Sequence, residues 1–134
     1  MKILLDTNVW LAVLTRRGVC RRFWRRLRIG NEVYSGEWIL EEIEEKLPLR
    51  FSATPRNAAR LARFARRSTH VVQPQKPILA VCRDPDDDEV LALALTAACE
   101  WVVTGDKDLL VLDGYEGIRI VTVRQFSVAM GWSV

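Results

Sequence analysis

Histidine is almost absent from this chain: His70, in RRSTHVV, stands alone. A single imidazole cannot build a multi-histidine metal centre, and a histidine-based nucleophilic triad loses most of its support. Cysteine is scarce as well. Cys20, Cys82 and Cys99 are far apart, odd in number and free of CxxC spacing. That argues against a zinc site or a disulfide framework, and the three read as buried or idle thiols. No apolar run approaches the roughly 18 residues needed to span a bilayer. The opening stretch MKILLDTNVWLAVL is interrupted by Asp6 and Asn8 and lacks a small-residue cleavage site, so it does not read as a secretory signal. Internal repeats, low-complexity tracts and long linkers are also missing. The remaining expectation is one cytoplasmic domain over residues 1–134, with no membrane association.

What the chain does have is enough apolar material for a core, 49% of its residues, and a segregated charge distribution. The net charge is only +3. Seven arginines fall between Arg16 and Arg28, and five more between Arg56 and Arg67. The acids gather elsewhere, at Glu37–Glu45, Asp84–Glu89 and Asp106–Asp108. Separate positive and negative surfaces suit a polyanion held on the basic side while the acidic side does other work.

Periodicity predicts alternating strands and helices. KILLD (2–6) is a short apolar strand ending at an acid, and VWLAVLTR (9–16) begins a helix capped near Thr7 or Asn8. CRRFWRRLRIG (20–30) sets Phe23, Trp24 and Leu27 on one helical face among arginines. EVYS (32–35) is a second strand, and 36–47 a helix that Pro48 is expected to end. TPRNAARLARFARRS (54–68) is a helix with Thr54 as cap, Pro55 in the first turn and a stripe of Ala58, Leu61, Ala62 and Ala65. HVVQP (70–74) and KPILAV (76–81) are extended pieces, and Asp86–Asp88 opens a long helix to Ala98. EWVVTGD (100–106) and IRIVTV (118–123) are strands, and 124–131 is a closing helix. Continuously apolar strands between helices predict an α/β fold, a parallel sheet with helices on both faces. Sites in such sheets form beyond the carboxyl ends of the strands. That rule gives Asp6, Glu42, Asp87, Asp88 and Asp106 one address.

Each acid also has a plain explanation. Asp6 can cap a helix, and Glu42 can be one exposed glutamate of EEIEEK. Asp86–Glu89 can be an acidic first turn favoured by the helix dipole, and TGDKD a polar turn. Unrelated caps, however, need not meet on one sheet edge. Carboxylates that do meet repel one another and call for a cation. Oxygen ligands without histidine or cysteine select Mg²⁺ or Mn²⁺ over zinc. Such ions lower the pKa of water and stabilise charge on phosphate oxygens, which suits phosphodiester cleavage.

LLDTNVW, YSGEWILEEI, RDPDDDEVLALAL, VVTGDKDLL and IRIVTVRQF, in this order and spacing, resemble the PIN-domain family. The nearest branch is the VapC-like toxins of bacterial and archaeal toxin–antitoxin systems, and the resemblance covers essentially the whole chain. It implies a three-layer α/β/α sandwich with a central parallel sheet, assembled as a homodimer. It also implies a Mg²⁺- or Mn²⁺-dependent endoribonuclease restrained by a small antitoxin protein. The family acids fall on Asp6, Glu42, Asp87 or Asp88 (Asp87 favoured), and Asp106. Asn8 and Thr104 match supporting polar positions, and Asp108 an outer partner of the acids. The glycine-rich turn common before VTGD is here AACEW, and a proline common before the last helix is missing from TVRQF.

Arg21, Arg22, Arg25, Arg60 and Arg63 are the expected contacts to the RNA backbone, with Phe23 or Trp24 as candidates for base stacking. A basic helix could instead receive an acidic antitoxin segment. Two other readings compete with catalysis by this constellation. In one, the chain is a non-catalytic RNA- or partner-binding module. In the other it is a metal-dependent phosphatase-like enzyme, but such enzymes use a DxD loop and DTN lacks the second acid.

Overall fold

The computed structural model describes residues 1–74 and 84–132. Among them the chain runs β1 (Lys2–Leu5), α1 (Thr7–Thr15), α2 (Val19–Leu27), β2 (Glu32–Ser35), α3 (Glu37–Phe51), α4 (Pro55–Arg67) and β3 (His70–Val71). It continues through α5 (Pro85–Thr96), β4 (Trp101–Val103), α6 (Lys107–Leu110), β5 (Gly114–Tyr115), β6 (Ile118–Val121) and α7 (Val123–Ala129). The expected extended piece 76–81 and Cys82 lie outside the described residues.

The six strands form one sheet in the order β3-β2-β1-β4-β6-β5. All neighbours are parallel except β5, which pairs antiparallel with β6 through Gly114 opposite Arg119 and Tyr115 opposite Ile118. The chain steps outward from β1 to β3, then returns to place β4 on the other side of β1. Right-handed crossovers therefore put α1–α4 on one face of the sheet and α5 on the other. The α/β sandwich expected from the strand–helix alternation is present, and the sequence left unread only the short pair α6 and β5 in the segment after TGD.

The core strands have the apolar continuity of a sheet covered on both sides. Ile3, Leu4, Leu5, Val102 and Val103 are fully buried. Helix α5 buries every residue from Val90 to Ala94. Its Leu93 packs so closely on Gly36, at the end of β2, that a methyl group there would overlap it. Aromatic rings fill the opposite side. Phe126 of α7 meets the rings of Phe23, Trp101 and Trp132, and Trp10 packs against Trp24 with ring centres 4.9 Å apart. Phe23 and Trp24 are thus core residues, 3% and 5% exposed, and neither is open to stack on a base.

Pro48 does not end α3, which continues to Phe51. A proline removes one backbone donor and crowds the preceding turn. Here the carbonyl that loses its partner belongs to exposed Glu44, and the helix has less than one more turn to run. Buried Leu47 holds that turn to the core, and Ser52 closes it in the left-handed conformation at φ 55°, its N–H donating to the Leu47 carbonyl. Helix α4 begins as expected, with the Thr54 hydroxyl accepting from Asn57 N–H at 3.1 Å and Pro55 in the first turn. No helix among the described residues is long and apolar enough to cross a membrane.

Candidate active site

The sheet order reverses between β1 and β4, and the crevice beyond their carboxyl ends is where the acids collect. Asp6 follows β1 directly. Its backbone N–H donates to the Val103 carbonyl of β4 at 3.0 Å, so its position is tied to both central strands. Its Oδ1 accepts from Thr7 N–H at 2.7 Å as the cap of α1. The other oxygen, Oδ2, accepts from the Thr104 hydroxyl at 2.8 Å. That same hydroxyl accepts the Asp106 N–H at 3.0 Å. Thr104 therefore links the first acid to the last.

Asp106 caps α6, its Oδ1 accepting from Asp108 N–H at 2.8 Å. Asp84 caps α5 in the same way, which sets Asp87 one turn into that helix. Single carboxylate oxygens of Asp87, Asp106 and Asp108 lie within 4.8 Å of one another, close enough to share one cation. Glu42 approaches from α3. Its Oε1 accepts from the Thr7 hydroxyl at 2.7 Å, and its Oε2 pairs with Lys46 Nζ at 3.0 Å. Asp88 is half-buried on the same turn as Asp87. Asn8 is exposed at the start of α1, its Oδ1 accepting from Arg50 at 3.4 Å.

The capping explanation and the clustering explanation are both true of the same residues. Asp6 and Asp106 cap helices, and Asp87 lies in the first turn of another. The starts of α1 and α5 bring their positive dipole ends to the pocket, which offsets some of the crowded negative charge. The offset is incomplete. Asp6 is pushed above the ordinary carboxylate range, chiefly by burial. The hydrogen bonds from Thr104 and Thr7 act against that shift, while the charges of Asp106 and Glu42 add to it. Asp87 is raised to about 7, first by burial, then by the charge of Asp106, a proton shared toward Asp106, and the charges of Asp6 and Asp84. One buried oxygen of Asp87, Oδ2, has no hydrogen-bond partner among the described residues. A buried carboxylate oxygen facing other carboxylates is the arrangement a hard cation resolves, so the residues present fit Mg²⁺ or Mn²⁺.

Most of the arginines gather elsewhere. Arg21, Arg25 and Arg28 of the α2 segment face Arg60, Arg63 and Arg67 of α4 across a groove of about 740 Å³, floored by Val13, Leu14, Trp24, Leu61 and Phe64. Arg22 is exposed on α2 but does not line this groove, because the face that buries Phe23 and Trp24 turns it aside. None of the acids lines it. Beside the acids there is instead an apolar cleft of about 410 Å³, bordered by Asn8, Thr104, Gly105 and Arg124. His70 is exposed on β3 against the Tyr34 ring, 5.1 Å between centres. Cys20 and Cys99 are free thiols, and burial pushes Cys99 up to about 12, which makes it inert at neutral pH.

Three contributors lay outside the sequence reading. Thr7 was visible as a cap, but not as the residue that steadies Glu42. Asp84 was hidden in a run of like residues, and Lys46 closes a run of glutamates. The signal for Lys46 was its four-residue spacing from Glu42.

Known proteins share this architecture. A chain of VapBC2 from Rickettsia felis, solved bound to a DNA fragment from its promoter, superposes with a TM-score of 0.65 at 10% identity, over 90% of this chain and 97% of that one. A toxin–antitoxin complex from Klebsiella pneumoniae gives 0.62 at 17% identity, with 90% and 97% covered. Mycobacterium tuberculosis VapC20, a toxin that cleaves the sarcin–ricin loop, gives 0.61 at 18% identity, with 87% and 98% covered. At these identities the likeness speaks for the fold. No curated protein matches the chain in sequence. The family model for the PIN domain matches residues 2–108, which takes in every acid of the pocket, and the chain belongs to the PIN-domain family.

Proposed function

We propose that this protein is a Mg²⁺- or Mn²⁺-dependent endoribonuclease, the cytoplasmic toxin of a toxin–antitoxin pair held in check by a small antitoxin protein. The observation that carries the reading is the meeting of Asp6, Glu42, Asp87, Asp106 and Asp108 at one sheet edge, around a buried carboxylate oxygen with no partner among the described residues. Asp87, Asp106 and Asp108 would hold the ion, with Asp6 and Glu42 completing the pocket. A bound ion supplies activation of water and charge stabilisation on the phosphate oxygens.

The chain's own groups do the rest. Thr104 aims Asp6 and fixes the backbone of Asp106, Thr7 aims Glu42, and the Asp108 N–H orients the carboxylate of Asp106. Fixed lone pairs of this kind lower the cost of ordering the site around the substrate. Asp87, near 7 when no cation is bound, carries a proton there that a bound cation would displace. The arginine groove between α2 and α4 is a surface for the RNA backbone distant from the acids. The names of the structural neighbours support the antitoxin partner, and the homodimer rests on the family resemblance alone.

The test is cleavage of a mixed RNA pool by the wild-type chain and by Asp6→Asn and Asp106→Asn, with Mn²⁺ and with chelator. Cleavage is expected only from the wild-type chain with metal. Equal cleavage by a variant, or in chelator, removes the mechanism. A folded wild-type chain that binds RNA but neither cleaves it nor takes up Mn²⁺ in calorimetry is the non-catalytic binding module instead.

A further inference from the structure

Helix α3 carries a second feature on the side that reaches the acids. Glu42, Lys46 and Arg50 recur every four residues, so they lie one above another along a single stripe. Side chains on a helix lean toward its N-terminus. Lys46 and Arg50 therefore lean back toward the pocket that Glu42 enters. Their contacts agree with this. Lys46 Nζ sits 3.0 Å from Glu42 Oε2 with a quarter of its side chain exposed (25%), and Arg50 reaches Asn8 Oδ1 at 3.4 Å. Asn8 adjoins Thr7, whose hydroxyl holds the other oxygen of Glu42. Both cationic heads thus stop at the rim of the acidic crevice, at the start of α1.

The large arginine groove cannot serve that rim. It borders the far half of α1 at Val13 and Leu14. At about 1.5 Å of rise per residue, that is roughly 10 Å from Thr7 along the helix. A backbone lying in the groove would still have to approach five carboxylates at the bond to be cut. Anions next to that bond need positive charge close by, and the stripe on α3 supplies it. Arg50 makes no ion pair among the described residues. The Lys46–Glu42 pair is a half-buried i,i+4 contact between neighbouring turns of one helix, and its Lys46 partner still reaches solvent. A phosphate can take Lys46 from it at little cost once Glu42 turns to a cation.

We propose that Lys46 and Arg50 bind the RNA phosphates flanking the bond that is cut, as positioning residues for the backbone at the acidic crevice. This rests on the ribonuclease reading above. The contacts are to phosphate, so they act alike on every RNA sequence.

The experiment uses a short labelled single-stranded RNA of mixed sequence and the full chain carrying Asp106→Asn, with Mg²⁺ present, followed by fluorescence anisotropy over a range of salt. Adding Lys46→Ala and Arg50→Ala together is expected to weaken binding by about tenfold at low salt and to lower the salt slope by about 0.7 for each phosphate contact removed. Lys46→Arg should retain affinity. Arg119→Ala, on the amino-end side of β6, should leave binding unchanged. In the cleaving chain, Lys46→Ala with Arg50→Ala should raise KM more than it lowers kcat. A Gln pair at the two positions, with melting temperatures recorded, separates lost charge from lost fold. Binding by the parent chain that the double variants do not weaken overturns this inference alone. A parent that binds no RNA overturns it together with the ribonuclease reading.

Discussion

Asp87→Asn should stabilise the metal-free protein at alkaline pH and abolish its response to metal. In the folded chain Asp87 titrates at about 7, against about 3.9 for a carboxylate in an unfolded chain. An acid raised by folding binds its proton more tightly in the native state. The native state therefore loses stability as pH rises from about 4 to about 7, and the full cost is present above that window. The gap corresponds to a ceiling of about 4 kcal/mol. Asp106 and Asp6 share the repulsion and the crevice opens to water, so about half of that, ~2 kcal/mol, is expected. An asparagine amide can still donate toward Asp106 as the protonated acid does, and it carries no charge. In chelator at about pH 8 the variant should melt about 6–8 °C above wild type, and at about pH 4 the two should coincide. Added Mn²⁺ should then raise the wild-type melting temperature and leave the variant nearly unmoved. Calorimetric melts at the two pH values, with chelator and with Mn²⁺, decide the matter. A variant that melts lower than wild type in chelator at alkaline pH, or a gap that ignores pH, refutes the claim that repulsion in this pocket is uncompensated.

Thr104→Val removes the hydroxyl between Asp6 and Asp106, and isothermal titration should show Mn²⁺ affinity lower by about 10–100-fold. Trp24→Ala should cost about 3–5 kcal/mol in denaturant unfolding, because this ring is core and not a platform for bases. Gly36→Ala should cost about 1–3 kcal/mol in the same assay, since the methyl group collides with Leu93. Reversing Arg25 and Arg60 to Glu should weaken binding of single-stranded RNA and flatten its salt dependence, with unchanged binding ruling out the α2–α4 groove as an RNA surface.

Some of this was written in the residues and some was not. Asp6 and Asp106 were legible because apolar strands lead into them, and a parallel sheet sends such strand ends to one edge. Asp87 was favoured over Asp88 by resemblance, and the structure buries the first more deeply than the second. Asp108 was expected farther out, yet it shares a cation-sized space with Asp87 and Asp106. Its place depends on α6, a single turn too short to leave a periodic signal. Pro48 was misleading because local propensity yields to the burial of Leu47. The arginines were visible as clusters, but which of them share a groove depends on the roll of α2, fixed by Phe23 and Trp24 packing inward. The place of Lys46 and Arg50 beside the acids depends on α1 packing against α3, a tertiary contact their own sequence does not record.

The position of β4 has a temporal side. It slots between β1 and β6, although β1 is made long before it and β4 begins only at Trp101. A nascent chain stalled before Trp101 carries Asp6 and Glu42 but has neither Thr104 to steady Asp6 nor Asp106 to complete the crevice. On the proposed reading, such a fragment is harmless. Cutting power arrives only when β4 docks beside β1, so the order of synthesis itself keeps the blade sheathed until that strand has formed.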